Sequence, residues 1–519
     1  MKYVIRTLMV LICLMVLVGG VRAGSGNGSL KLGYTFLDED GHQGIYHGTY
    51  NRYDGAVLSL ERFRYRFDNG MCLNADLRRI AMNNRNLALG FDHPGNFGIR
   101  LTNQQYRRVY NYTGNAYTRR NQTGGSAWFF PVKYVKLYAG GTHVGRTGMT
   151  ADLFGPDLLT ASQEVDYGQS EFNTGLRATW QGRMFRAEYR AATYSDNINR
   201  DRDQKRYRLR LDGHLPVPRY EDWLILRGGY MHFETKYDQT EFKISANTVW
   251  GGANATLPEH FSVKYRFYFN RTSSDSDFVA TDNIANAFYV THTWPLRAGL
   301  TAGYQHDLTD DFDNEVKSNS FYFSGWLNPS DQINVRGEYG MRTEEINAGS
   351  RLVGDEDRNR FKLSARYRHR YYGTAKVTFE SKTRENDQIG TETDFNRITI
   401  DFGTGYRGYG TLTGGYAYAT GEYTNTESAF EFCEHFIYAD ISGEEYRNIT
   451  AGGGITYYRS KRDLDVDRVS LRLRASYRFA EDYHIEGVYN LHNFDDYLTR
   501  DAYYTANIVE INIRKDISI

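Results

Sequence analysis

Apolar and polar residues alternate with a period of two along most of the chain. Residues 467–479 read DRVSLRLRASYRF, with Val469, Leu471, Leu473, Ala475, Tyr477 and Phe479 on one face and Ser470, Arg472, Arg474, Ser476 and Arg478 on the other. In 358–368, Phe361, Leu363, Ala365 and Tyr367 oppose Arg360, Lys362, Ser364, Arg366 and Arg368. Tyr207, Leu209 and Leu211 alternate with Arg206, Arg208 and Arg210, and Phe261, Val263, Tyr265, Phe267 and Phe269 oppose Lys264, Arg266 and Asn270. Phe172, Leu176, Ala178 and Trp180 share a face, as do Leu30, Leu32, Tyr34 and Phe36. This period predicts strands throughout, about nineteen of them from residue 171 to the end.

Which face meets which solvent is decided by magnitude. A Lys or Arg facing lipid at mid-membrane costs about 2–4 kcal/mol, so turning 467–479 inside out would cost on the order of 6–12 kcal/mol for its three arginines. The arginine face therefore lines a wet interior and the Tyr/Phe/Leu face meets hydrocarbon. A soluble sandwich would place the apolar faces inward instead.

Connection lengths agree. Short links fall near Pro295, Asn328-Pro329-Ser330, His369-Arg370, Gly443-Glu444 and Glu481, alternating with longer ones expected at 308–317, 341–357, 382–394, 420–428, 459–466 and 492–502. Outer-membrane barrels have short periplasmic turns and longer external loops, and close with even strand numbers. The expectation is an all-β chain, a large transmembrane up-and-down antiparallel β-barrel of roughly 22–26 strands. In the N-terminal third, 29–37, 56–67, 70–78, 86–92 and 97–103 read as extended, while the Tyr-, Gly- and Asn-rich stretch 104–170 resists assignment strand by strand. Such a barrel is too wide to fill with its own side chains and holds water, a plug or a partner.

The N-terminus explains how the chain reaches that membrane. Lys2 and Arg6 precede an apolar core from Leu8 to Val18, and Val21-Arg22-Ala23 forms a small-residue cleavage site. Residues 1–23 thus read as a cleaved signal peptide and 24–519 as the barrel. Removing them takes away Lys2, Arg6 and Arg22 and leaves 60 basic against 63 acidic residues, a net charge of −3. There is no basic bias toward nucleic acid. The 43 Tyr and 29 Phe exclude a disordered chain, and 51 Gly against 8 Pro suit strands and turns.

Candidate chemistry is sparse. The mature chain keeps Cys72 and Cys433, far apart, with neither CxxC nor CxxCH, so it attaches no c-type haem of its own. Thirteen histidines are scattered without HExxH or a paired metal spacing, and no G-x-S-x-G nominates a nucleophile. Neither a catalytic residue nor a metal site is expected, and the chain reads as no enzyme. Acidic groups at Asp307, Asp310, Asp311, Asp313 and Glu315 and at Asp355, Glu356 and Asp357 read as solvated external loops. Trp180, Trp250, Trp294, Trp326, Tyr194 and Tyr304, near strand ends, are expected in interfacial girdles. The lumenal arginines, Arg206, Arg208, Arg210, Arg360, Arg366, Arg368, Arg472, Arg474 and Arg478, are the candidate contacts for a solute or partner, with Asp212, Glu188, Glu338 and Glu486 offsetting part of their charge.

Two stretches, FNTGLRATWQGRMFRAEYRAATYSDN (172–197) and RAGLTAGYQHDLTDDFDN (297–314), carry a strand, a turn, and a strand running into Asn and Asp. In this the chain resembles the MtrB/PioB family of decahaem-cytochrome-associated outer membrane proteins, or a related porin–cytochrome conduit barrel. The resemblance implies a sheath that embeds a periplasmic multihaem c-type cytochrome, with a second cytochrome docking outside, so that electrons cross the outer membrane. Haem is then expected only on the partner. The chain departs from some members in lacking a CxxC near the mature N-terminus, and it ends in Ile519 instead of an aromatic residue. The other reading is a water-filled porin with an Arg-rich lumen for hydrophilic solutes.

Overall fold

A computed structural model of the chain describes residues 24–152, 161–220, 222–275, 279–295, 297–311, 314–348, 355–406, 408–499 and 502–519. The expected signal segment 1–23 lies outside the described residues, as does Asp313. The chain opens with β1 (Gly24–Gly41), a short helix α1 (Gln43–Tyr50), β2 (Gly55–Phe67), β3 (Cys72–Arg78), β4 (Asn86–His93), β5 (Phe97–Val109) and β6 (Tyr117–Val132). Then come β7 (Val135–Asp152), β8 (Ala161–Trp180), β9 (Arg183–Asp196), β10 (Gln204–Pro216), β11 (Leu224–Tyr237), β12 (Lys243–Leu257) and β13 (Phe261–Ser274). β14 (Ala280–Trp294), β15 (Ala298–Asp311), β16 (Asn314–Ser330), β17 (Ile333–Ala348), β18 (Glu356–His369), β19 (Gly373–Asn386) and β20 (Thr391–Tyr406) follow. The last six are β21 (Gly410–Thr424), β22 (Ala429–Gly443), β23 (Ile449–Arg462), β24 (Val466–Ala480), β25 (Tyr483–Asp496) and β26 (Tyr503–Ser518).

All 26 strands belong to one sheet, each antiparallel to its neighbour in sequence, and β26 pairs with β1 from Ser518↔Asn27 to Tyr504↔Gly41. Closure removes both sheet edges, which lipid cannot tolerate unpaired. The two chain ends meet at the seam, where the Gly26 amide donates to the Ile519 carbonyl at 2.9 Å and the Ile519 amide returns the bond at 2.9 Å. That end also carries two-residue turns such as 133–134, 181–182 and 481–482, so it is the periplasmic end. At 181–182 both Gln181 and Gly182 have positive φ, 46° and 74°, the twist that a tight hairpin between right-twisted strands requires.

The alternation read from sequence sets the faces. Across β23 and β24, Ile455 pairs with Leu471 and Ile449 with Tyr477, an outward band in which Ile455 and Tyr477 are 46% and 49% exposed in the bare protein. The arginines stand on the opposite face, which is the lumenal one by the energy difference given above. About nineteen strands beyond residue 171 are matched by β8–β26, and the unassigned stretch 104–170 supplies the rest of β5, β6, β7 and the start of β8.

The outer loops are shorter than expected. β15 runs to Asp311 and pairs there with Asn314 of β16, and only 463–465 separate β23 from β24. A membrane crossing needs about 9–11 residues, whereas β15 has 14 and β16 has 17, so strands continue as a hydrogen-bonded collar beyond lipid. The acids expected in loops at 307–311 and 356–357 belong to these strand ends.

Strands about 4.8 Å apart and tilted about 40° put a 26-strand circle at roughly 50 Å between backbones and roughly 40 Å between side-chain tips. Substituting Leu473→Arg on the lipid face is expected to cost about 2–4 kcal/mol, measured as a lower urea midpoint for folding into lipid vesicles. The adjacent Arg472→Gln, on the wet face, is expected to stay within about 1 kcal/mol of the parent.

Candidate functional site: a charged lumen and an infolded segment

The nine candidate arginines do not converge on one point. They occupy three sectors of the wall, on β10, β18 and β24. In the first, β9 and β10 interleave cations and acids: Arg190 and Arg208 meet Glu188 at 3.2 and 3.1 Å, while Arg186 and Arg210 meet Asp212 at 2.8 and 2.7 Å. Arg206 bonds Gln204 at 3.0 Å instead. In the second, Arg360 meets Glu380 at 2.9 Å, whereas Arg366 and Arg368 have no ion pair among the described residues. In the third, Arg474 approaches Asp440 at 3.7 Å and Arg478 meets Glu445 at 2.5 Å.

The expected acids take part as lumenal partners. Glu338 holds Arg336 at 3.0 Å, and Glu486 joins Lys31 across the seam at 3.0 Å as well as Arg514. Each such half-wet pair is worth about 0–1 kcal/mol, so these networks set side-chain positions more than stability. Salt screens charges beyond about 8 Å at physiological ionic strength, far less than the bore, so each sector acts only on what lies against its own wall.

Trp180 and Trp294 end their strands facing outward, as the girdle expectation requires, whereas Tyr304 faces outward from the middle of β15. The expectation fails for Trp250, Trp326 and Tyr194. Register places Trp250 opposite Gly229, Trp326 opposite Gly299 and Tyr194 opposite Gln204, all on the lumenal face. For Tyr194 strand parity alone decides this; for the two tryptophans a notch adds to it, because each indole covers its cross-strand glycine, where any Cβ would strike the ring. Trp128 over Gly98 repeats the arrangement, with a Cβ at Gly98 only 2.5 Å from the indole. A glycine directly across from a lumenal aromatic was the available sequence signal.

Sequence periodicity gives no sign of the connection 42–54, which folds against the lumenal face of β24–β26. His42 caps α1 by accepting from the Ile45 amide at 3.2 Å, and Asn51 ends it in the left-handed conformation at φ 43°. Tyr46 is fully buried against Tyr504, Ala506 and Ile508. Tyr50 stacks on His492 with ring centroids 3.6 Å apart, shares a 3.0 Å hydrogen bond with Ser470, and accepts from Arg468 at 2.6 Å. His47 approaches Glu39 at 3.3 Å and stacks on Tyr53. Burial pushes the Tyr46 and Tyr53 phenols well above the usual tyrosine range, so both stay neutral.

Short β3 and β4 leave a gap in the wall, and the loop 79–85 fills it edge-on. The Ile80 amide donates to the Leu58 carbonyl at 2.9 Å, and Gln105 donates to Arg85 at 3.0 Å. Tyr53 closes the far side through a 2.9 Å hydrogen bond to the Arg107 carbonyl. Arg79 and Arg52 flank Glu510 at 3.6 and 3.9 Å, tying both loops to β26.

No protein-family model matches the chain, and no curated protein matches it. Solved structures do. The siderophore receptor PirA from Pseudomonas aeruginosa aligns over 80% of each chain with a TM-score of 0.53 and 11% identity. The ferric enterobactin receptor PfeA of the same organism aligns over 95% of this chain and 80% of its own, at 0.53 and 8%. The ferripyoverdine receptor of the P. aeruginosa outer membrane gives 0.50 and 9%, over 95% and 72%. At these identities the likeness is one of fold. With its closed sheet and apolar outer belt, the chain is an integral outer-membrane β-barrel.

The docking of α1 yields a contrast between two tyrosines. Tyr50→Phe loses bonds to Ser470 and to a charged guanidinium, and is expected to weaken the seated segment by roughly 1.5–3 kcal/mol. Tyr46→Phe removes a buried hydroxyl oxygen that has no partner among the described residues, and is expected to leave the segment as protected as before or more so. Hydrogen-exchange protection of residues 42–54 reads both.

Proposed function

We propose that the barrel is a non-enzymatic sheath that embeds a periplasmic multihaem c-type cytochrome and lets electrons cross the outer membrane. The observation that carries this reading is the bore. A 26-strand circle leaves roughly 40 Å, and α1 with its flanking loops covers only the arc near the seam. That leaves space for a folded partner but far exceeds the needs of a small solute.

The physical role would be dielectric and geometric. Hydrocarbon about 30 Å thick separates the two aqueous phases, and haems carried on one protein must stay in a close, water-compatible file through it. The wall suits such a partner, because its arginines come in three sectors that would meet different parts of an inserted surface. Their guanidiniums can pair with carboxylates, including haem propionates, in two-pronged hydrogen bonds. This chain would supply the hole, the insulation and the seating, and the partner would supply all haem.

Purification from the native membrane in mild detergent tests the proposal. Co-eluting c-type haem absorbance together with a non-conducting complex in planar bilayers is the expected outcome. A haem-free protein with large, stable conductance would replace the sheath by an open porin with an Arg-rich lumen.

A further inference from the structure

The lumen is electrically lopsided in a way that overall charge conceals. On β14, β15 and β16 the lumenal positions carry no Lys or Arg; besides small, polar and aromatic residues they hold Asp307, engaged by Gln305 and Ser318, and Asp311, engaged by Thr281, while Lys317 faces outward opposite Leu308. The adjoining wall, β17–β20, is densely basic. Arg342, Arg358 and Arg384 stand in one row across three strands, Arg360 stands opposite Lys382, and Arg366 opposite Lys376.

Like charges directly across a strand pair repel, and the acids nearby are already engaged. Glu344 holds Arg342 at 3.0 Å, Glu356 holds Arg384 at 2.7 Å and Glu380 is shared by Arg360 and Lys382 at 2.9 and 3.3 Å. Asp401, across from Lys376, accepts the Tyr438 hydroxyl at 2.9 Å. Nearer the periplasmic end, Arg366, Arg368 and Lys376 have no ion pair among the described residues. At the boundary between the cation-free and basic walls lies a hollow of about 490 Å³, bordered by Tyr289, Tyr322, Arg342, Arg360 and Lys382. Gly340 leaves its floor open, a Cβ there meeting nothing nearer than 4.0 Å.

We propose that β17–β20 form a binding track for multivalent oxyanions of the phosphate or carboxylate class, seated in the hollow and again at Arg366, Arg368 and Lys376. One anion bridging adjacent strands relieves repulsion that this chain's own acids leave unbalanced, and guanidiniums grip planar or tetrahedral oxyanions with paired hydrogen bonds. The proposal goes beyond the sheath reading and rests only on the lumen being wet.

Calorimetric titration of the full mature chain, refolded alone in detergent, with sodium tripolyphosphate tests it without any cytochrome. Saturable binding that weakens steeply with added salt is expected. In Arg366→Gln/Arg368→Gln/Lys376→Gln the seat nearer the periplasmic end should be lost, about halving the binding stoichiometry, while Lys264→Gln/Arg266→Gln on β13 should bind like the parent. Faster gel migration of the unheated protein shows that each variant has closed. No binding by the parent overturns the proposal, as does equal binding by the triple variant or equal loss in the β13 variant. Because haem plays no part in the readout, failure here leaves the sheath proposal standing, and the reverse also holds.

Discussion

Hydrocarbon offers no hydrogen bonds, so every backbone amide and carbonyl that enters it must be answered by another strand. The pairing of β26 with β1 completes that condition, and the rest of the molecule follows from it. Once the sheet is closed, each strand has one face toward lipid and one toward water, and the period of two becomes a statement about solvent. Ion pairs such as Arg186–Asp212 can exist only because closure has enclosed water behind them.

Much of this is legible in the amino-acid order, for a physical reason. A lipid-facing cation is costly enough that a single strand such as 467–479 reveals its own orientation, and repeated strands reveal the barrel. Strand identity fades where that contrast fades. Residues 117–152 are rich in Gly and Thr on both faces, so β6 and β7 have weak alternation although they pair as regularly as the others. Loop lengths mislead for a related reason: polar residues at 308–317 look like loop, but strands extended into water need no apolar face.

The candidate arginines are placed on the right face by alternation, whereas their grouping into sectors is a property of the ring and cannot be counted along the chain. Least legible is the segment 42–54. Its partners Ser470 and His492 lie more than four hundred residues away, and its own pattern, HQGIYHGTYNRYD, is neither helical nor strand-like enough to announce a docked turn. Trp250 and Trp326 lie between these cases, because a tryptophan in a barrel strand suggests an interface while the glycine opposite assigns the lumen.

The seam where Gly26 and Ile519 exchange hydrogen bonds has a consequence for biogenesis. The earliest strand to leave the inner membrane must wait for the latest, with its free edge exposed for the whole of export. Such an edge invites pairing with foreign strands, and bringing together the two extremes of the chain is among the slowest kinds of contact to form. Truncating β26 would leave β1 as a permanent adhesive margin.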